Sequence, residues 1–183
     1  MSTAYQVVWE KFCQLWQIEM RTVPITLEHP TLDIEEAIRM SDENTICIVP
    51  IMGVTWTGMN DDVEALNNAL EEYNTKTGYN IPIHIDAASG GFILPFLFPE
   101  KKWDFRLKWV YSISTSGHKY GLVYPGLGWV VWRDKAYLPS DMSFSVNYLG
   151  ASIAQVGLNF SRPAAQILAQ YYNFIHLGEE GYR

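Results

Sequence analysis

The sequence predicts an α/β domain of three layers, a mostly parallel sheet flanked by helices. Three observations predict it. Short runs rich in β-branched residues alternate with longer stretches whose apolar residues recur at helical spacing. Three of those runs lead into loops that combine Gly with hydroxyl or ionisable side chains, at residues 53–58, 86–91 and 114–121. The 183 residues suit one domain that buries about two thirds of its unfolded surface and needs neither disulfide nor metal to fold.

Residues 4–16 place Val8, Phe12, Leu15 and Trp16 at helical spacing, and residues 18–25 alternate as a strand does. Residues 31–40 open with acidic residues, as a helix N-terminus prefers, and lead to the β-branched run 45–50. Residues 61–73 put Val63, Leu66 and Leu70 on one helical face; after Thr77-Gly78 comes the strand 81–85, ending at Asp86. Residues 110–114 and 128–132 read as two more strands, separated by a Gly-rich loop that contains His118 and Lys119. Beyond Arg133 the pattern loosens, until a last helix over 163–177 starts at a Pro and stops at Gly178.

Composition narrows the function. Hydrophobic residues make up 48% and charged residues 18%, the balance of a packed interior rather than a disordered tail. A net charge of −7 without clustered Lys or Arg excludes a nucleic-acid partner. No apolar run approaches the roughly 20 residues that span a bilayer, and the amino terminus carries no basic region followed by an apolar core. Cys13 and Cys47 fall on a helical and a strand pattern, so the expectation is buried free thiols in a reducing cytoplasm.

Ligands of open α/β sheets bind beyond strand carboxyl ends, which singles out Asp86 and Lys119. Asp86 precedes Ala87, Ala88, Ser89 and two glycines, a small-residue floor on which a flat heteroaromatic ring can rest; the alternative is an Asp that caps a helix or a turn. Lys119 follows His118 among hydroxyls and glycines, without nearby acids. A Lys against apolar neighbours becomes nucleophilic, whereas a solvated surface Lys does not.

The strings His84-Ile85-Asp86-Ala87-Ala88-Ser89-Gly90-Gly91-Phe92, Ser116-Gly117-His118-Lys119-Tyr120-Gly121 and Gly128-Trp129-Val130-Val131-Trp132-Arg133 resemble bacterial and plant glutamate decarboxylases, group II members of the aspartate-aminotransferase-like (type I) fold. So do Gly53-Val54-Thr55-Trp56-Thr57-Gly58, Asn147-Tyr148-Leu149-Gly150 and Asn159-Phe160-Ser161-Arg162-Pro163, so that the resemblance runs from about Tyr5 to Arg183. It implies pyridoxal 5'-phosphate as cofactor, L-glutamate as substrate and γ-aminobutyrate as product, with one proton consumed per turnover and acid resistance as a physiological role.

The resemblance also implies residue roles. Lys119 carries the cofactor as a Schiff base and Asp86 pairs with the pyridine nitrogen. Ala88 and Gln6 pack on opposite ring faces, Thr55 contacts the ring hydroxyl or the substrate carboxylate region, and Ser116 and His118 help to hold the phosphate. Ser161 reaches the phosphate of a neighbouring subunit, which requires a dimer or larger homo-oligomer. Tyr148 is the proton donor, on a segment that closes over the site. Full-length relatives are more than twice as long: the chain matches the central part of the large domain, without the family's upstream Ser-rich phosphate loop or its C-terminal small domain. Two other readings follow: a non-catalytic dimerisation or cofactor-binding core, or a group II decarboxylase of another amino acid.

Overall fold

The computed structural model describes residues 1–138 and 161–183, and between them the backbones of two short strands. Helix α1 spans Val7–Trp16, α2 Ile34–Arg39, α3 Val63–Thr77, α4 Leu94–Leu97 and α5 Ala165–Tyr182. Strands β1 (Ile83–Asp86), β2 (Val110–Ser116) and β3 (Gly128–Trp132) form one sheet, and β4 (Phe144–Val146) and β5 (Ile153–Gln155) a separate antiparallel pair.

Among the described residues the sheet is mixed. β1 pairs in parallel with β2, whereas β3 runs antiparallel to β2. The β-branched run expected at 45–50 is not a regular strand, but its end lies parallel to β1 through bridges Ile48↔Ile83 and Ile51↔Asp86. Backbone N–H groups of His84 and Asp86 donate to the carbonyls of Ile48 and Pro50. The strand expected over 18–25 reduces to one bridge, Ser2↔Val23, since most of that segment's side chains do not enter the core.

Period-2 alternation sorts β1 into two faces, and β2 follows it after a register shift, since Ile83 pairs with Val110 but His84 with Ser112. Ile83, Ile85, Val110 and Ile113 pack with Val63, Leu66 and Leu70 of α3, all buried, in the main hydrophobic core. His84, Asp86, Ser112, Ser114 and Ser116 line a cavity instead. Polar side chains clamp the core face at its margins. Asn74 of α3 exchanges two hydrogen bonds with the backbone of Ile81 (3.1 Å each), and Asn67 accepts from the Trp109 N–H at 2.9 Å. Buried Asp61 accepts the N–H groups of Leu32 (2.8 Å) and Ile51 (2.7 Å), tying the segment before α2 to the one beside β1.

Local chemistry sets the helix ends. Asp33 and Asp62 cap α2 and α3 by accepting the N–H groups of Glu36 and Ala65, and Gly78 ends α3 in the left-handed region, φ 77°. α2 thus begins after Asp33 rather than at Thr31. α5 runs beyond the expected stop: Gly178 leaves helical geometry (φ 60°), and a further turn follows to Tyr182. Both cysteines are free and partly exposed as residues, and Cys13 departs the further from the buried thiol expected. Cys47 faces the interior with its sulfur, and burial pushes that thiol up to about 11.

Candidate active site

A cavity of about 870 Å³ opens along the polar face of the sheet. Gln6, Thr55, Asp86, Ala88, Ser116, His118 and Lys119 all line it, so seven of the nine residues singled out from the sequence converge on one space. The exposed Ser161 is not among the lining residues, and Tyr148 lies outside the described residues.

Asp86 ends β1 and is 7% exposed. Its Oδ1 accepts the Ala88 N–H at 3.1 Å, the turn-capping contact raised as an alternative from the sequence. Its Oδ2 accepts the indole N–H of Trp9 at 2.6 Å. Both partners are neutral donors, and among the described residues Asp86 forms no ion pair. A carboxylate taken out of water is stabilised by a cation, and Asp86 lines the cavity.

Lys119 follows β2 in a turn and is half-buried; its described contact is a long 3.4 Å hydrogen bond to Ser89 Oγ. No carboxylate lies within ion-pair distance of its amine among the described residues. The loop is held from behind by α5. Buried Gln170 donates to the Gly121 carbonyl at 2.8 Å, and Asn173 donates to the carbonyls of Gly121 and Leu122 at 3.3 and 3.0 Å. Gly121 must be Gly, because a Cβ there would lie 2.5 Å from the Gly117 carbonyl oxygen, a backbone atom.

The glycines after Asp86 serve packing rather than ligand approach, a correction to the sequence reading. A Cβ on Gly90 would stand 2.7 Å from the Met52 carbonyl, and one on Gly91 would collide with Thr115. Both turn toward neighbouring backbone and strand, so the small-residue floor reduces to Ala88. Gln6 also supports local structure, because its side chain caps α1 by accepting the Val8 N–H at 3.2 Å.

Trp9 and His84 were not singled out from the sequence. His84 lies two residues before Asp86 on the same strand face, so period-2 spacing could have found it. Its Nδ1 is 2.7 Å from Ser112 Oγ and its Nε2 3.2 Å from Ser114 Oγ, and its ring meets Trp9 edge-on at 5.5 Å. Burial holds the imidazole below its usual range, with Asp86 opposing more weakly.

That shift makes stability pH-dependent. The unfolded chain takes up a proton at His84 near pH 6.5, the folded one only at lower pH, so stability falls as pH drops from about 6.5 toward the folded value. Urea unfolding at pH 7.5 and 5.5 is expected to show a smaller acid-induced loss for His84→Gln than for the unaltered protein. An identical loss would show that this imidazole titrates alike in both states.

The chain belongs to the family of the pyridoxal-dependent decarboxylase conserved domain, whose model matches residues 1–183. It is 56% identical over its whole length to a glutamate decarboxylase of Lactococcus lactis subsp. cremoris and 56% identical to glutamate decarboxylase beta of Listeria monocytogenes; it covers 39% of each. The solved glutamate decarboxylase of Lactobacillus brevis superposes on all of it with a TM-score of 0.95 at 53% identity, the chain covering 41% of that structure. The chain thus spans about two fifths of the length of the curated relatives it matches, and its fold is that of the type I pyridoxal-phosphate enzymes.

The residues present fit pyridoxal phosphate. The cavity offers a buried carboxylate without a cationic partner and a lysine amine without an anionic one, with the hydroxyl of Ser116 and the imidazole of His118 beside that lysine in sequence.

Proposed function

We propose that the chain is the central, cofactor-binding part of the large domain of a glutamate decarboxylase, which converts L-glutamate and a proton to γ-aminobutyrate and carbon dioxide. The observation that carries the reading is that one cavity is lined by both Asp86 and Lys119, each lacking a charged partner among the described residues. The high identity to relatives named glutamate decarboxylase supports the substrate.

Pyridoxal phosphate, when bound, supplies a sink for the electron pair that carbon dioxide leaves behind. Asp86 would hold the ring nitrogen and, by its buried charge, favour its protonated form. Lys119 would be the residue that holds the cofactor covalently. Ala88 and Gln6 would flank the ring, and Thr55 would contact the ring hydroxyl or the substrate carboxylate region. Ser116 and His118 would help to hold the phosphate.

The exposure of Ser161 away from the cavity supports a role at a second copy's phosphate, and with it a dimer or larger homo-oligomer. Among the described residues no helix is long and apolar enough to cross a membrane. Each turnover removes a proton, which supports a role in acid resistance.

The test is direct. Protein supplied with pyridoxal phosphate is offered L-glutamate, L-aspartate and aromatic amino acids in turn, and amine and carbon dioxide are measured. γ-Aminobutyrate from glutamate is expected. Release of carbon dioxide from another amino acid and not from glutamate would reassign the substrate, and cofactor binding without any turnover would favour a binding core.

A further inference from the structure

The contact that fixes Asp86 comes from a residue 77 positions away in the chain. Trp9 lies in the first turn of α1, a helix without a fully buried residue, whose large apolar side chains Val7, Val8, Phe12, Leu15 and Trp16 are all more than 40% exposed. Trp9 is half-buried where Phe12 and Trp16 are exposed, and its indole N–H meets Asp86 Oδ2 at 2.6 Å. The position of the ring is restrained independently. His84 packs edge-on against it, and His84 is itself pinned on both nitrogens by Ser112 and Ser114.

An indole N–H donates and never accepts or titrates, so it restrains the carboxylate without competing with a cation for it. An ionised carboxylate has about four lone-pair sites. Trp9 and Ala88 each take one, on different oxygens, which fixes the plane of the group and leaves acceptor capacity for a ligand. Bonds of this charge-assisted kind are about twice as strong as neutral ones. On the cofactor reading given above, we infer that Trp9 is a positioning residue, which orients the Asp86 carboxylate toward a cationic ring nitrogen in the cavity, with His84 as the support of the indole.

A double-mutant cycle tests this, using Trp9→Phe, which keeps an aromatic ring and removes the donor, and Asp86→Asn. The readouts are the dissociation constant for pyridoxal phosphate and the fraction of cofactor fixed to protein by borohydride. Trp9→Phe is expected to weaken binding about tenfold or more, the effect of losing a hydrogen bond to a charged group, and to add little once Asp86 is already Asn. A loss of equal size in both backgrounds, or none in either, overturns the positioning role. Should Trp9→Phe fail to fold, the indole N–H resonance of Trp9 in the unsubstituted protein decides: it is expected to shift on cofactor binding and in Asp86→Asn, and an unmoved resonance overturns the inference. Failure of the unsubstituted protein to bind cofactor would instead remove the reading of the site on which the inference rests, a result separable from every outcome of the cycle.

Discussion

Lys119→Ala is expected to abolish covalent retention of pyridoxal phosphate and to reduce decarboxylation to background while leaving the fold in place. The side chain is half-buried and contributes one long hydrogen bond, to Ser89 at 3.4 Å. Substitutions at such positions usually change stability by no more than about 0.5 kcal/mol. The loop geometry does not rest on the lysine either, because Gln170 and Asn173 of α5 hold the carbonyls of Gly121 and Leu122. Borohydride reduction and peptide mapping check the result: the cofactor mass should sit on the peptide containing Lys119 in the unaltered protein and on no peptide of the variant. A trapped adduct that persisted in Lys119→Ala would move the covalent role to another lysine. A variant that lost its cooperative unfolding transition would show that the loop depends on the lysine after all.

The core was legible in the sequence, and the sheet's margins less so. Val63, Leu66 and Leu70 recur at helical spacing because one side of α3 packs on the sheet, and Ile83 and Ile85 alternate with His84 and Asp86 because β1 has an apolar and a polar face. Periodicity says nothing about strand direction, so the antiparallel pairing of β3 could not be read from it. α1 shows a different failure. Its apolar spacing predicted a helix correctly, but the face marked by Val8, Phe12, Leu15 and Trp16 is largely exposed and Trp9 makes the inward contact. An apolar stripe identifies a helix's covered side only when the covering surface is part of the same chain.

At the site, strand-end logic found Asp86 and loop chemistry found Lys119, while their coincidence in one cavity depends on β1 and β2 being neighbours in register, Asp86 beside Ser114. The second partner of Asp86 was hidden for a physical reason. Trp9 is remote in sequence, and its hydrogen bond is a tertiary contact that no local pattern encodes. Gly90 and Gly91 misled in the opposite sense: a glycine pair looks the same in sequence whether it makes room for a ligand or, as here, for Met52 and Thr115.

Asp86→Asn is expected to lower decarboxylation by about 10²–10³-fold, the scale of removing one preorganised electrostatic partner of the reacting charge, while cofactor still attaches to Lys119. On the role proposed for Asp86, the amide, nearly isosteric but neutral, would no longer favour a protonated pyridine nitrogen, and the ring would draw electrons less strongly. Two N–H donors, from Trp9 and Ala88, already point at the two carboxylate oxygens. An amide has one acceptor oxygen, so its NH₂ must oppose one of those donors. Leaving a buried donor without an acceptor costs about 1–3 kcal/mol, and the variant is therefore also expected to unfold at lower urea concentration. The two effects separate by measurement. Turnover with saturating cofactor reports the electronic role, and the unfolding midpoint reports the local clash. Near-normal turnover in a variant whose midpoint had fallen would reduce Asp86 to a turn-capping residue. Loss of turnover together with loss of borohydride-fixed cofactor would mean that Asp86 acts by holding the cofactor in place rather than by keeping its ring protonated.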